Sequence, residues 1–297
     1  MSGSVFILSD ALESLVNIFA GAAALGSVYL ASKPKDKDHP YGHGKVEFLS
    51  AGFEGILITL AGGMILLKSV ESVIYPEALQ NIDWGIYLTG FGGVINLAMA
   101  LYLKKEGRKS HSPALTANGK HLLSDALSSA AMITGLLIIH FTNIYWLDPL
   151  FASVFGVIII ITGIRVVRQS VAGVMDEADE ELITRLISGV NKARENAWVD
   201  LHNFRMIKYG SGLHIDCHLT LPWYYTLEQG HREIDKFEEL VRNQSNREIE
   251  IFAHAEPCKP FSCKICKLKN CKERQHPLSE EVEWNYKTVT QNSKHTV

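Results

Sequence analysis

The chain has 297 residues, of which 47% are hydrophobic and 21% charged, and its formal net charge is −3. This slightly acidic balance, with no basic stripe, argues against a nucleic-acid partner. The five cysteines are odd in number and four of them lie within fourteen residues, which indicates metal binding in a reducing compartment rather than a secreted disulfide scaffold.

The first 175 residues differ in composition from the rest. They hold only 24 of the 61 Asp, Glu, Lys and Arg residues but 19 of the 23 glycines. A membrane-spanning helix needs about 20 mostly apolar residues. Five such stretches cover residues 5–31, 46–74, 84–103, 126–147 and 149–164. The sequence therefore predicts an α-helical transmembrane domain over 1–174 with five visible helices.

The connections between these stretches alternate in charge. Those at 32–47 and 104–120 hold nine Lys and Arg residues, whereas those at 76–83 and 140–149 hold none. Because basic loops remain in the cytoplasm, the pattern predicts a multi-pass protein whose carboxyl-terminal part is cytoplasmic. We expect it in a bacterial inner (cytoplasmic) membrane, and no signal peptide is evident.

Polar side chains within the spans carry the first functional signal. Glu13 and Asn17 are four residues apart on the first helix, and His121 and Asp125 are four apart on the fourth, so each pair shares a helix face. Two such faces could bind zinc or another first-row divalent ion. Helix caps and interhelical hydrogen bonds are the alternative. Glu54 is a further intramembrane acid that either carries protons or pairs with a neighbour.

The loop after the first span is a second candidate site. Asp36, His39 and His43 place one carboxylate and two imidazoles within eight residues, and nearby glycines let the chain fold back. This donor set suits a divalent ion. A solvated polar loop is the alternative interpretation.

The second part of the chain predicts a small α+β domain over 175–258. The pattern indicates helices at 177–196 and 226–243 and strands at 202–209, 213–221 and 248–254. The strand at 213–221 alternates, with Leu213 and Cys217 on the apolar face. The order helix–strand–strand–helix–strand fits a ferredoxin-like layer.

Residues 259–297 are predicted to form a Cys-rich segment followed by a flexible polar tail. Four thiolates can close a structural tetrahedral zinc site. An iron–sulfur cluster or a merely redox-active or structural set of cysteines is the alternative. The cysteines concerned are Cys258, Cys263, Cys266 and Cys271.

Four segments together resemble the cation diffusion facilitator family of metal/proton antiporters. They are SDALESLVN at 9–17, HPYGHGKVE at 39–47, HLLSDALSS at 121–129 and VMDEAD at 174–179. The resemblance covers roughly residues 1–258. It implies a homodimer of six-helix protomers in the lipid bilayer, each with a cytoplasmic metal-sensing and dimerisation domain.

The resemblance also implies roles for particular residues. The family's transport ligands match the two four-residue-spaced pairs, and its cytoplasmic loop site matches the loop at 36–43. A charge interlock near the dimer interface matches Lys45 and Asp176. The metal ligands of the cytoplasmic domain match His202, His218, His231, His254 and Glu256. Exposed polar residues on a half-solvated sheet are the alternative for this last set.

The chain departs from the family pattern in two places. Its first span corresponds to the family's second helix, which is expected of a fragment, a misplaced start or a five-span variant. The usual pair on that helix is Asp-Asp, His-Asp or Asn-Asp, whereas here it is Glu13 and Asn17. This pair lowers the negative charge of the site and leaves the identity of the metal open.

The leading hypothesis is a proton-coupled exporter of divalent metal. Zinc is the first candidate, and iron, cobalt and manganese follow. Metal ions would be both substrate and regulator, with no organic cofactor, and His121 is the natural proton switch. The alternative is a membrane-tethered metal sensor or scaffold that transports nothing. A metal-dependent membrane enzyme is disfavoured because neither G-x-S-x-G nor HExxH occurs.

Overall fold

A computed structural model describes residues 5–75, 82–142 and 147–296. Within these ranges, the side chains of residues 5–17 and of scattered positions between 82 and 155 are not described. The chain divides into two compact units, residues 1–175 and 176–297.

The first unit is built from long helices. Each covers or overlaps one of the predicted apolar stretches, and the fourth begins well before its stretch because Pro113 fits the first turn of a helix. The helices are α1 (Val5–Ala31), α2 (Val46–Ile74), α3 (Ile82–Lys109), α4 (Pro113–Thr142) and α5 (Leu147–Val174). Among the described residues, α2 and the Ala152–Val174 part of α5 are long and apolar enough to cross a membrane.

Helices α2 and α5 pack with their backbones in close approach. A Cβ atom at Gly55 would lie 2.9–3.0 Å from the main chain of α5, and one at Gly62 would lie 3.0 Å from the carbonyl oxygen of Gly156. On α5, a Cβ atom at Gly163 would lie 2.8 Å from the carbonyl oxygen of Gly55. Small residues at such points allow helices to approach in a bilayer without a large hydrophobic driving force.

Helix α4 is the central helix of this unit. It contacts each of the other four helices, and α1 packs against both α2 and α4. The predicted metal ligands on α4 therefore lie in the interior of the bundle rather than on its rim.

The second unit has the predicted order of helices and strands. Its elements are α6 (Glu180–Lys192), β1 (Asp200–Tyr209), β2 (Gly212–Leu221), α7 (Leu227–Arg242) and β3 (Ile249–Pro257), followed by a 3-10 turn at Pro260–Lys264 and the short helix α8 (Tyr286–Val289). In the described part of the chain the sheet order is β1-β2-β3, with β1 antiparallel and β3 parallel to β2. A bulge interrupts the register of β1 between His202 and Arg205.

One face of this sheet forms the core of the second unit. The apolar residues of β2 are at most 4% exposed, as the alternation predicts, and α6 and α7 cover them. Each helix begins with a side-chain cap, Asp179 for α6 and Thr226 for α7, which satisfies backbone N–H groups that would otherwise lack partners. The opposite face of the sheet is left for polar side chains.

The carboxyl-terminal tail differs from the flexible segment predicted. Trp284 and Val289 are 2% and 0% exposed and belong to the core of the second unit. The Arg194 guanidinium lies 4.0 Å from the centre of the Trp284 ring, and the Asn203 backbone N–H donates to the Gln291 carbonyl at 2.6 Å. A few well-spaced apolar residues in a polar segment therefore contribute to docking the tail, and their pattern is too sparse to show periodicity.

Candidate metal centres

The buried pair on α4 has the arrangement that its spacing predicts. His121 is 2% and Asp125 5% exposed, and His121 Nδ1 lies 3.4 Å from Asp125 Oδ1. Neither ring nitrogen of His121 makes a hydrogen bond within the described part of the chain. Because a buried polar group that makes no hydrogen bond is costly, this imidazole is suited to receive a ligand.

The predicted partners of this pair lie on α1. The helix continues through positions 13 and 17, but the side chains of Glu13 and Asn17 lie outside the described residues. A site shared by the two helices requires that α1 pack against α4, and the structure meets this requirement. The four-residue ligand set itself stays a prediction.

A second acidic position lies between α2 and α4. Glu54 is 1% exposed and faces Asn118, which precedes His121 by one turn of α4. Another buried contact, which the sequence did not indicate, joins α2 to the residue that precedes α4: the Ser112 hydroxyl donates to the carboxylate of Glu47. The structure thus gives Glu54 a neighbour, and a role in proton transfer stays a prediction.

The loop after α1 brings Asp36, His39 and His43 together as the loop cluster. Their ligand atoms all lie within 4.8 Å of one another. Asp36 Oδ1 accepts the backbone N–H groups of Asp38 and His39 at 3.0 and 2.6 Å, and Asp36 Oδ2 lies 3.4 Å from His43 Nε2. The His39 backbone N–H is the main group that lowers the pKa of Asp36. The turn closes through Gly42 at a φ of 90°.

The predicted charge interlock is placed only in part. Lys45 Nζ donates to the Val174 carbonyl at the end of α5, at 3.5 Å. Asp176 belongs to the second unit and adopts a left-handed backbone conformation with φ of 57°. Its pairing with Lys45 across a dimer interface stays a prediction.

The polar face of the sheet carries the sheet cluster, formed by His202, His218 and Glu256. One residue comes from each strand, and the ligand atoms lie within 4.8 Å of one another. His218 Nδ1 lies 2.8 Å from Glu256 Oε1, and His202 Nε2 lies 3.5 Å from Glu256 Oε2. His202 is 2% exposed. Burial lowers the pKa of this imidazole despite the nearby carboxylates, which keeps it neutral and able to coordinate a metal.

Three groups that the sequence did not indicate surround the sheet cluster. Asp200 Oδ2 lies 3.6 Å behind His202 Nδ1, and His295 contacts the Asp200 carboxylate through its backbone N–H and its Nδ1 at 3.0 and 2.7 Å. Lys294 Nζ lies 3.0 Å from Glu256 Oε2. Asp200 could have been predicted, because it lies two residues before His202 on β1 and therefore on the same face. Nothing in the local sequence predicts that the tail reaches this site.

Two of the five residues matched in this domain do not join the cluster. The exposed His254 ring lies 5.1 Å from that of His218. The side chain of His231 is 74% exposed on α7 and lies 3.7 Å from Asp235. His231 thus lies off the sheet, whereas His254 is paired with His218 in the register of β2 and β3 and lies on the same polar face beside the cluster.

Four cysteines, named here the cysteine cluster, share a cavity of the second unit, but among the described residues they are not one of the groups whose ligand atoms all lie within 4.8 Å of one another. Burial raises the pKa of the Cys258 and Cys266 thiols. Cys217 lies apart in the core at 1% exposure, as its strand position predicts. The members of the cluster are Cys258, Cys263, Cys266 and Cys271.

Comparisons with known proteins agree with both units. A family model described as the cation efflux transmembrane domain matches residues 1–175, and one described as the cation efflux protein cytoplasmic domain matches 175–258. An uncharacterized transporter of Synechocystis is 30% identical over 93% of this chain and 86% of its own length. Metal tolerance protein C1 of Arabidopsis thaliana is 30% identical over 93% of this chain and 63% of its own length. The cation-efflux pump FieF of Klebsiella pneumoniae is 28% identical over 81% of this chain and 79% of its own length.

Proposed function

This chain belongs to the cation diffusion facilitator family, whose members are transporters and not enzymes, and from that premise we propose that it exchanges cytoplasmic divalent metal for protons. Zinc is the leading cargo, with iron, cobalt and manganese as alternatives. The five long helices are the proposed membrane spans, and the second unit is the proposed cytoplasmic domain of a homodimer in a bacterial inner membrane. The match to a cytoplasmic domain of the family supports this arrangement.

The buried His121–Asp125 pair is the observation that carries the proposal. A metal ion can bind only to the deprotonated forms of these side chains. A proton on His121 Nδ1 would instead face Asp125 Oδ1 at 3.4 Å. Metal and proton therefore compete for the same pair of atoms, and each can displace the other at opposite sides of the membrane.

Helix α1 supplies the proposed remainder of the site. Glu13 and Asn17 would add a carboxylate and an amide oxygen to the imidazole and carboxylate of α4, and contact between α1 and α4 supports this. Nitrogen and oxygen donors suit zinc and the neighbouring first-row metals. Alternating access would expose this set to either side in turn.

The loop and sheet clusters are the proposed regulatory sites. Both combine two imidazoles with a carboxylate, and the basic loops indicate that both face the cytoplasm. Metal bound at these sites would shift the transport cycle only by binding one conformation better than another. We propose that the dimer tightens when cytoplasmic metal is high.

A flux measurement tests the transport site. Full-length protein in proteoliposomes is expected to move zinc under a pH gradient, and Asp125→Asn is expected to reduce the rate to that of empty vesicles. Asp38→Asn is the matched control, because it removes the same charge from the exposed loop outside the loop cluster. If Asp125→Asn moves zinc as fast as the unmodified protein, the assignment of Asp125 to the transport site is wrong.

A sensor or scaffold without transport is the second candidate. The sheet cluster favours it, because that site lies wholly within the second unit and needs no membrane. This candidate predicts that zinc drives dimerisation of the full-length protein while proteoliposomes show no flux. Flux together with zinc-dependent dimerisation supports the exporter.

A further inference from the structure

We propose that the cysteine cluster binds one zinc-class ion through four thiolates and that this ion holds the carboxyl-terminal tail on the second unit. Three of the four cysteines lie beyond residue 258, where the family match ends. The site therefore extends beyond the part of the chain that the cytoplasmic-domain model matches, and it does not depend on the proposed transport activity.

Hydrogen-bond donors surround the sulfur atoms of the four cysteines. Each cysteine sulfur faces one hydrogen-bond donor, and contacts of this kind orient ligands, as outer-shell contacts do at metal sites. The donors are the backbone N–H of Trp223 to Cys258 at 3.4 Å, that of Gln275 to Cys263 at 3.5 Å, that of Leu268 to Cys266, and the hydroxyl of Tyr224 to Cys271 at 3.5 Å.

The local charge also suits a metal–thiolate complex. A divalent ion with four thiolates carries a net charge of about −2. Residues 258–275 contain six Lys and Arg residues against one acid, so the surrounding charge opposes that of the complex. A set of neutral thiols would leave the same basic residues repelling one another.

Hydrogen bonds from one arginine connect the backbone between the cysteines. The Arg274 guanidinium donates to the carbonyl oxygens of Cys263 and Cys266 at 3.0 Å each, and to that of Leu268 at 2.8 Å. These bonds fix the turn that carries the closely spaced pair Cys263-x-x-Cys266, which is the spacing of a zinc knuckle.

The link to the tail follows from the packing beside this turn. Val282 of the tail packs with Cys258 and Cys266 in a small apolar cluster that is separate from the main core. The backbone N–H groups of Ser279 and Glu280 donate to the Lys264 carbonyl at 2.8 and 3.1 Å. So few apolar contacts bury little area, and small segments of this kind are commonly stabilised by a metal.

Cobalt substitution of the full-length protein tests the ligand set. Cobalt(II) bound by thiolates gives a sulfur-to-metal charge-transfer band in the near ultraviolet, whereas the loop and sheet clusters contain no sulfur. We expect this band in the unmodified protein and its loss in the double variant Cys263→Ser/Cys266→Ser. Cys217→Ala is the matched control and is expected to keep the band, because Cys217 lies in the core.

Tryptic cleavage at Lys287 and Lys294 tests the clamp. A chelator added to the unmodified protein is expected to accelerate cleavage in the tail, and zinc is expected to restore protection. The double variant is expected to be cleaved rapidly with or without zinc. Absence of the charge-transfer band, a native disulfide among the four cysteines, bound iron–sulfur, or a cleavage rate that the chelator does not change would each overturn the proposal. Zinc flux in proteoliposomes reports on the transport site separately.

Discussion

The loop cluster and the sheet cluster use the same donors but are built in opposite ways. The loop cluster lies within eight residues, and the side chains of Asp36 and His39 are 52% and 55% exposed. The sheet cluster joins one residue from each of three strands around the buried His202. The same ligand chemistry can therefore arise from local sequence or from the register of a sheet.

The supporting groups differ in the same way. In the loop cluster, Asp36 is both a ligand and the acceptor that holds the turn. In the sheet cluster a separate carboxylate, Asp200, stands behind His202, and the tail's His295 holds it in place. Because preorganised ligands lose less conformational entropy on binding, we expect the sheet cluster to bind zinc more tightly than the loop cluster.

The largest effect is expected for His202→Ala. Loss of a buried ligand should lower zinc affinity at the sheet cluster by more than about 100-fold, the upper end for changes in a metal site's outer shell. The loop cluster should be unaffected. Calorimetric titration of the full-length protein checks this, with His231→Ala as the control on the exposed face of α7. Equal losses of zinc affinity in His202→Ala and His231→Ala would remove the evidence that the sheet cluster differs from the loop cluster.

Asp200→Asn should destabilise the second unit at pH 7. Burial raises the pKa of Asp200, but hydrogen bonds from His295 lower it further, so its net pKa is below the ordinary value. A carboxylate with a depressed pKa stabilises the fold above about pH 4, and this contribution is lost as the pH falls through the folded-state pKa. Loss of the charged hydrogen bonds should cost about 2 kcal/mol.

Thermal unfolding of full-length protein as a function of pH measures this effect. The melting temperature of the second unit should be lower in Asp200→Asn at pH 7, and the difference should shrink below about pH 4. A difference that stays constant across this range would mean that the ionised carboxylate is not the stabilising group.

A smaller effect is expected for Asp36→Asn. This change removes a ligand charge and weakens the turn, so zinc affinity at the loop cluster should fall by about 10-fold, the lower end for metal-site substitutions. Amide hydrogen exchange at residues 38 and 39 should also accelerate, since Asp36 accepts both N–H groups. Asp38→Asn, which alters the loop's charge equally, should change neither quantity; an equal effect would assign the loss to charge alone.

The smallest effect is expected for Lys294→Met, and it has the opposite sign. The Lys294 ammonium lies 3.0 Å from Glu256 and competes with a metal ion for that carboxylate. A partly exposed ion pair is worth at most about 1 kcal/mol, so zinc affinity at the sheet cluster should rise by up to about 5-fold. Lys287→Met is the control in the tail. Unchanged or reduced affinity would show that the tail does not oppose metal binding.

The two clusters also show what can be predicted from sequence. The loop cluster was predictable because all of its ligands and its turn lie in one short segment. In the sheet cluster, the strand pattern of β2 was predictable from its alternation. The bulge after His202 and the pairing of β2 with β3 were not, because they depend on contacts distant in sequence. Lys294 and His295 reach the sheet cluster only because the tail is docked, and nothing in the sequence around them predicts this contact.

The central claim is that metal and protons exchange through the pair on α4. Its most direct test is to follow zinc and internal pH together in proteoliposomes that contain the full-length protein. The account predicts that a zinc gradient moves zinc one way and protons the other, and that Asp125→Asn abolishes both movements. Zinc movement without a matching pH change, or coupled movement that persists in Asp125→Asn, would contradict it.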